Sequence, residues 1–320
     1  MPFPRCSRGP SSGSSATTSA TSSTPGACLT SPRRTRRGTS RSPSSRPPTP
    51  SATASRSATT SSETVLTDRL RALRAEGRRA LVCYVTAGHP TPAESARLIR
   101  ELPAAGCDVL EVGVPFSDPL ADGPIIQGSS QKALEQGVTL ERALGIIAEA
   151  KPTAPVVLFS YLNPLMKAGP DVLQRAKAAG VSGVLVTDLP VGADPEREAW
   201  LGSGPLEFVR LVAPTTPQQR MAEIVKHGRG FVYLISRLGV TGVHQGVATD
   251  LPASVAKLRA VCDLPICVGF GISTPEQVRA VGDVADGVVV GSALVQAVET
   301  RGVDAALALV REMRAALDRP

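Results

Sequence analysis

The first 62 residues contain no acidic residue and no lysine, although they hold nine arginines. Serine, threonine and proline make up most of the rest, and such a segment cannot bury enough apolar surface to offset its chain entropy. We therefore predict a disordered extension over residues 1–62 and a single folded domain over residues 63–320. The folded part carries 26 basic against 28 acidic residues, so the formal net charge of +7 comes from the extension.

Three interpretations of this extension are open. Organellar transit peptides are rich in arginine and serine and poor in acids, as it is. A translation start assigned too far upstream in a GC-rich gene gives the same bias, and we favour it slightly. A basic arm for nucleic acid is least favoured, because no aromatic residue beyond Phe3 is interleaved for base stacking. We expect a cytoplasmic protein without a nucleic-acid partner, or a plastid protein if the extension is a transit peptide.

The sequence has no apolar run of the roughly 18 residues that a membrane-spanning helix needs, and no apolar segment follows Met1. We therefore expect neither a membrane protein nor a secreted one. The six cysteines show no Cys-X-X-Cys spacing, which argues against a zinc or redox motif. Those of the folded part lie in apolar runs, and we expect reduced core thiols at Cys83, Cys107, Cys262 and Cys267.

From about residue 81 onward, one pattern recurs eight times: an apolar run rich in Val, Leu and Ile, then a loop, then a helical pattern. The runs are nearly continuous, which is typical of strands buried on both faces of a parallel sheet. Gly106 and Gly180 stand where a helix must end before the next strand. Eight such units over about 250 residues predict a TIM (β/α)8 barrel. The alternative, a doubly wound open sheet, would carry a glycine fingerprint after the first strand, and residues 84–90 have none.

Side chains that other barrel chemistries require are missing from the necessary positions. The six lysines fall in predicted helices or loops, whereas a Schiff-base aldolase needs a desolvated lysine inside the barrel. The three histidines, His89, His227 and His244, show no metal-ligand spacing. We therefore predict no metal site and disfavour a metal-dependent epimerase or amidohydrolase.

The stretch from Leu110 to Pro124 carries the acidic residues that could do chemistry. Glu111 is the one charge in an apolar run that reads as the end of the second strand, and burying it is costly unless it is paired or functional. The following loop is rich in Pro and Gly and carries Asp118 and Asp122. In a barrel, this strand end and this loop both belong to the face that holds the active site. Glu111 and Asp122 could therefore face each other as an acid/base pair; the alternative for Glu111 is a structural hydrogen-bonding role.

Two glycine motifs predict a phosphate site at the same face. Residues 268–273 follow the seventh strand, and Gly291-Ser292 follows the eighth and opens a helix. Glycine lets backbone N–H groups approach an anion, and a helix N-terminus adds a favourable dipole. Neither segment holds Lys or Arg, so binding would depend on backbone donors and Ser292, and tight turns alone are the alternative. The glycine-rich loop of residues 237–246 reads as a lid that excludes water, with Gly242 able to reach the phosphate.

These segments resemble the tryptophan synthase alpha chain family. The resemblance is carried by Leu-Glu-Val-Gly-Val-Pro-Phe-Ser-Asp-Pro-Leu-Ala-Asp-Gly at 110–123, and it continues through 185–190, 233–242, 269–273 and 291–293 in the family's order. It extends from about residue 67 to the C-terminus. The reaction it implies is retro-aldol cleavage of indole-3-glycerol phosphate to indole and glyceraldehyde 3-phosphate, a step of tryptophan biosynthesis.

The resemblance also implies a role for each matching residue. Glu111 would protonate C3 of the indole ring and handle the glycerol hydroxyl proton, and Asp122 would stabilise the charge that develops at the indole N–H. Protonation of C3 breaks the aromaticity of the ring, and a carboxylate near N1 offsets the resulting positive charge. Tyr233 and Thr241 would support Glu111 and the closed loop. Phe270 and Tyr84 would line the indole pocket, and the family commonly has Phe at the position of Tyr84. The implied phosphate contacts are Gly242, Gly269, Gly271, Gly291 and Ser292.

Members of this family work as α2β2 heterotetramers with a pyridoxal-phosphate beta chain that receives indole through a tunnel. The resemblance therefore implies a beta-chain partner, contacted by the loop around Asp118-Pro119 and by the turn at residues 188–190. It implies no cofactor on this chain, with pyridoxal phosphate expected only on the partner. Two alternatives stay open: another phosphate-binding barrel enzyme, such as an isomerase of the same pathway, and a non-catalytic subunit that only activates a beta chain.

Overall fold

A computed structural model describes residues 64–236, 250–269 and 271–318, and within these ranges eight parallel strands close into a barrel. Each strand pairs with the next along the chain, and the first also pairs with the eighth. This confirms the predicted TIM barrel and excludes the open sheet. The strands are β1 (Ala80–Thr86), β2 (Val109–Gly113), β3 (Val156–Ser160), β4 (Val181–Val186), β5 (Glu207–Val212), β6 (Val232–Ile235), β7 (Ile266–Gly269) and β8 (Gly287–Val290).

Helices of the described residues surround the barrel and close one end of it. Gly106 (φ +110°) and Gly180 (φ +98°) adopt the left-handed conformation, as predicted for the joints that precede β2 and β4. Helix α5 is short and follows β3 after a single residue, with Pro164 in its first turn. The helices are α1 (Val65–Ala75), α2 (Pro92–Glu101), α3 (Pro124–Glu135), α4 (Leu140–Ala150), α5 (Leu162–Ala168), α6 (Val172–Ala178), α7 (Pro195–Ser203), α8 (Gln218–Lys226), α9 (Leu251–Arg259), α10 (Pro275–Gly282), α11 (Ser292–Arg301) and α12 (Val303–Leu317).

Alternation along the strands divides the buried residues into two cores. Val109 and Val157 belong to an interior core inside the barrel, together with Phe231. Leu110 and Val112 belong to a larger outer core between the strands and the surrounding helices. Because both faces of each strand are buried, the strand sequences are apolar almost throughout.

Helix α1 closes the amino-terminal end of the barrel. Its leucines, Leu66, Leu70 and Leu73, are fully buried in the interior core. Glu207, at the start of β5 and 1% exposed, accepts hydrogen bonds from the N–H groups of Leu66 (2.6 Å) and Thr67 (3.2 Å) and from the Thr67 hydroxyl (2.7 Å). The first N–H groups of a helix have no intrahelical partner and favour negative charge. The carboxylate of β5 thus holds α1 in place as a plug.

Two more buried carboxylates tie the strand starts together at this end. Asp108, just before β2, accepts from the Leu81 N–H and from Arg314 Nη1, both at 3.0 Å. Asp286, just before β8, accepts from the Ile266 N–H at 2.9 Å. These acids all have hydrogen-bond partners, which fits the role of this barrel face in stability.

The cysteines and the helices of the described residues test two further predictions. The four cysteines of the folded part are buried and free of disulfides, as predicted. Within the described ranges, no helix combines the length and the apolar character needed to cross a membrane. The extension predicted over residues 1–62 and the lid predicted over residues 237–246 lie outside the described residues, so both stay predictions, as does the domain boundary at residue 63.

We predict that Glu207→Gln lowers the free energy of unfolding by about 2 kcal/mol. Both carboxylate oxygens of Glu207 accept hydrogen bonds from the start of α1, whereas an amide group has only one oxygen that can accept. Chemical denaturation followed by circular dichroism measures the change. The matched control is Glu76→Gln, since Glu76 is 56% exposed at the end of α1. Equal stabilities for the two variants would contradict the assigned role of Glu207.

Candidate active site

Glu111 lies in β2 with its side chain on the interior face of the barrel, two residues beyond the interior Val109. It is 1% exposed, and its Oε1 has no hydrogen-bond partner among the described residues. Burial raises the pKa of this carboxyl to about 8, because the charged form loses its hydration. This pKa favours the protonated form of Glu111 at neutral pH, and the carboxyl lies at the edge of a cavity.

Asp122 lies on the loop between β2 and α3 and is buried by the fold of that loop. Tyr161, which directly follows β3, donates its hydroxyl proton to Asp122 Oδ2 at 3.0 Å. The same hydroxyl oxygen accepts from the Ala121 N–H at 2.9 Å. Burial raises the pKa of Asp122 to about 6, and the bond from Tyr161 lowers it in part. Asp122 is therefore mostly ionised at neutral pH, unlike Glu111.

Both acids line one cavity at the carboxyl ends of the strands, with an empty volume of about 420 Å³ that includes open solvent. Seven of the predicted site residues meet there: Tyr84, Glu111, Asp122, Tyr233, Gly271, Gly291 and Ser292. Three further residues line it that sequence reasoning did not select: Ile126, Phe159 and Val289. The structure thus brings the two predicted carboxyls to one cavity, and their roles there stay predictions.

One side of the cavity is apolar and aromatic. The rings of Tyr84 and Phe159 meet edge to face, with centroids 5.2 Å apart. Ile126 packs with Tyr84 in a small cluster of its own, next to the cavity. The Tyr84 hydroxyl lies over Gly113, where a Cβ atom would come within 2.1 Å of it, so glycine is required at that position. Flat apolar walls with a few polar groups suit a planar ring carrying one hydrogen-bonding atom.

Another part of the cavity lining, next to Tyr84, offers backbone donors. Gly291 and Ser292 line it at the start of α11, where the first N–H groups of the helix are free to bind an anion. Gly271 lines it from the turn after β7, with a φ of +77° that favours glycine. Gly271, Gly291 and Ser292 thus lie together at the cavity, and phosphate binding by them stays a prediction.

Gly269 does not line the cavity as the described residues form it. A Cβ atom at Gly269 would lie 2.2 Å from the Tyr233 hydroxyl oxygen, so the glycine makes room for that ring. Tyr233 does line the cavity, next to Glu111 in the interior. The other predicted contacts, Thr241, Gly242 and Phe270, lie outside the described residues.

Tyr161, which contacts Asp122 and does not itself line the cavity, is a fourth residue that sequence reasoning missed. Its ring packs against Phe116 with centroids 5.0 Å apart, and its hydroxyl bonds both Asp122 and the backbone before it. The only sequence signal was its place at the end of the third predicted strand, on the working face. Among the described residues, no group of three or more His, Cys, Asp and Glu is placed to hold a metal ion.

Comparisons with known proteins agree with this geometry. The family model of the tryptophan synthase alpha chain matches residues 70–318. The alpha chain of Laribacter hongkongensis is 45% identical over 260 residues, which cover 79% of this chain and 98% of that one. The alpha chain of Desulfatibacillum aliphaticivorans is 47% identical over 238 residues, which cover 73% and 89%.

Solved structures give the same result. A structure of Mycobacterium tuberculosis tryptophan synthase superposes with a TM-score of 0.74 at 35% identity, covering 80% of this chain and 98% of that one. Tryptophan synthase subunit alpha of Legionella pneumophila superposes with a TM-score of 0.72 at 34% identity, covering 80% and 99%. The chain therefore belongs to the tryptophan synthase alpha chain family, whose members are carbon–carbon lyases of tryptophan biosynthesis.

Proposed function

We propose that this chain cleaves indole-3-glycerol phosphate with Glu111 as the general acid and base and Asp122 as the charge-stabilising group. The observation that carries the proposal is the pair of carboxyls in one cavity, where Glu111 Oε1 has no hydrogen-bond partner among the described residues and Asp122 is held by Tyr161. Burial raises the pKa of Glu111 to about 8, whereas Asp122, held by Tyr161, has a pKa of about 6. When the environments of two carboxyls separate their pKa values, the one with the higher pKa can act as the acid and the other can act as the ionised group.

The reaction needs two proton transfers at neighbouring atoms. Protonated Glu111 gives its proton to C3 of the indole ring, which leaves positive charge on the ring nitrogen. The ionised carboxylate of Asp122 offsets that charge in a site shielded from water. Glu111, now a carboxylate, takes the proton of the adjacent glycerol hydroxyl. A carbonyl group then forms, the carbon–carbon bond breaks, and its electrons restore the aromatic ring, so Glu111 ends protonated as it began.

The apolar residues and the backbone donors of the cavity lining suit the two parts of this substrate. The apolar side, formed by Tyr84, Phe159 and Ile126, would hold the indole ring. The backbone donors of Gly271 and Gly291 and the Ser292 side chain would hold the phosphate. Binding of both parts of the substrate would orient C3 toward Glu111, and such orientation is a large part of what catalysis requires.

The chemistry uses only proton transfer and charge stabilisation, so we propose that this chain binds no cofactor and no metal of its own. We also propose a pyridoxal-phosphate beta chain as partner, in an α2β2 assembly in the cytoplasm. Leu120 supports such a contact, because this large apolar side chain is 89% exposed on the loop that carries Asp122. A second chain covering this loop would shield the apolar product from water.

We predict that Glu111→Gln lowers kcat for indole release at least about 100-fold, since the variant cannot protonate C3. Steady-state assays of indole-3-glycerol phosphate cleavage, with and without an added beta chain, measure the loss. Glu135→Gln on the exposed surface of α3 is the matched control and should keep full activity. Substantial turnover by Glu111→Gln would refute the assignment of Glu111.

We predict a bell-shaped dependence of kcat/KM on pH, with limbs near the pKa values of about 6 and about 8. Activity falls below the lower value because Asp122 becomes protonated, and it falls above the upper value because Glu111 loses its proton. In Asp122→Asn the lower limb should vanish while the upper limb stays. An activity of the unaltered chain that keeps rising beyond pH 9 would contradict these assignments.

We predict that Ser292→Ala raises KM about 5-fold with little change in kcat, because the phosphate lies away from the reacting bond. Inorganic phosphate should also inhibit the unaltered chain competitively and inhibit Ser292→Ala less. The control is Thr300→Ala at the other end of α11, where the hydroxyl donates to a carbonyl of its own helix. If Ser292→Ala lowered kcat and left KM unchanged, Ser292 would not be a phosphate-binding residue.

A further inference from the structure

A buried ion pair joins β5 to α7 on the outer side of the barrel. Arg210 Nη2 donates to Glu198 Oε2 at 2.5 Å, and the two side chains are only 4% and 7% exposed. The guanidinium also stacks over the ring of Phe208, 4.2 Å from the ring centroid, and its Nε has no hydrogen-bond partner. The desolvation cost of such a pair often exceeds its attraction, so packed apolar residues would stabilise the fold as well or better. The attraction within the pair is therefore a weak explanation for its presence.

What the pair does hold is the backbone of the loop after β4, residues 187–194. Arg210 Nη1 donates to the Leu189 carbonyl at 3.3 Å, and the Gly192 N–H donates to Glu198 Oε1 at 2.6 Å. Arg220, on α8, donates to the Val191 carbonyl between them. Charged side chains from three different elements thus fix the middle of this loop.

The beginning of the same loop is attached to the segment that presents Tyr161. The Thr187 N–H donates to the Ser160 carbonyl at 3.1 Å, and the Leu162 N–H donates to Asp188 Oδ1 at 2.7 Å. These two hydrogen bonds lie on either side of Tyr161 along the chain. The loop is therefore fastened to the backbone on both sides of Tyr161, whose hydroxyl donates to Asp122.

We propose that the Arg210–Glu198 pair is a positioning device for Asp122, acting through residues 187–194 and Tyr161. Neither side chain of the pair lines the cavity, so both are positioning residues and not catalytic ones. The proposal rests on the proposed function, since Asp122 is the group being positioned. A shift of about 1 Å in such a group costs up to about 100-fold in rate, which makes the anchoring of this loop consequential.

The test replaces the whole pair, in the full chain, by Arg210→Met with Glu198→Leu, so that no lone charge stays buried. We expect cooperative thermal unfolding to persist, kcat for indole-3-glycerol phosphate cleavage to fall about 10-fold, and KM to change less than about 2-fold. KM is expected to stay because the apolar walls and the phosphate donors are untouched. An unchanged kcat would overturn the proposal.

A double-mutant cycle with Tyr161→Phe separates positioning from general destabilisation. Tyr161→Phe removes the hydroxyl that connects the loop to Asp122, so the pair replacement should then lower kcat less than about 2-fold further. A merely structural role would give the same loss in both backgrounds, and additive losses would overturn the proposal. If the pair replacement does not unfold cooperatively, Asp188→Ala is used in its place. It removes the exposed hydrogen bond between Asp188 and the Leu162 N–H, and it should give the same non-additive loss of kcat with Tyr161→Phe.

Arg229→Met is the matched control. Arg229 also has an unpartnered Nε and also holds two loop carbonyls, those of Gly204 at 2.9 Å and Leu206 at 2.7 Å, but at the start of β5 and away from the cavity. It should keep kcat and KM. No cleavage by the unaltered chain would defeat the proposed function itself. Normal cleavage together with an unaffected pair variant would defeat only the positioning role.

Discussion

The site depends on keeping one carboxyl dry inside a closed ring of strands. Because alternate residues of β2 face the barrel interior, Glu111 stands above the apolar layer that contains Val109. Tyr84 and Tyr233 line the cavity beside it and leave its Oε1 without a partner. Burial without compensation raises the pKa of Glu111 and keeps a proton available where the indole ring would lie.

The same residue type does opposite work at the two ends of the barrel. At the amino-terminal end, Asp108, Glu207 and Asp286 are buried with backbone N–H partners, so they fasten strands and the plugging helix. At the carboxyl end, Glu111 and Asp122 have few partners, and their pKa values rise. The number of hydrogen-bond partners around each carboxyl, more than the residue type, therefore decides which acids stabilise the fold and which are available for chemistry.

Tyr161 connects the loops of the working face. The loop after β2 is rich in Pro and Gly and supplies little regular structure to hold Asp122, so the Tyr161 hydroxyl binds both Asp122 and the backbone before it. Tyr161 is in turn flanked by hydrogen bonds to the loop after β4, which Arg210 and Glu198 hold. Three successive βα loops therefore act as one support for the ionised carboxylate.

The sequence by itself determined the barrel, through continuous apolar runs with glycine at the joints, and the acidic stretch that contains Glu111 and Asp122, because these are local patterns. Only the tertiary structure decided that Tyr161 holds Asp122, that Arg210 pairs with Glu198, and that Gly269 makes room for a ring. Each of these depends on partners from different βα units, whose meeting is set by strand register and loop packing. The local sequence does not indicate such partners, since the pattern around a tyrosine at a strand end or an arginine in a strand is the same whichever residues it contacts.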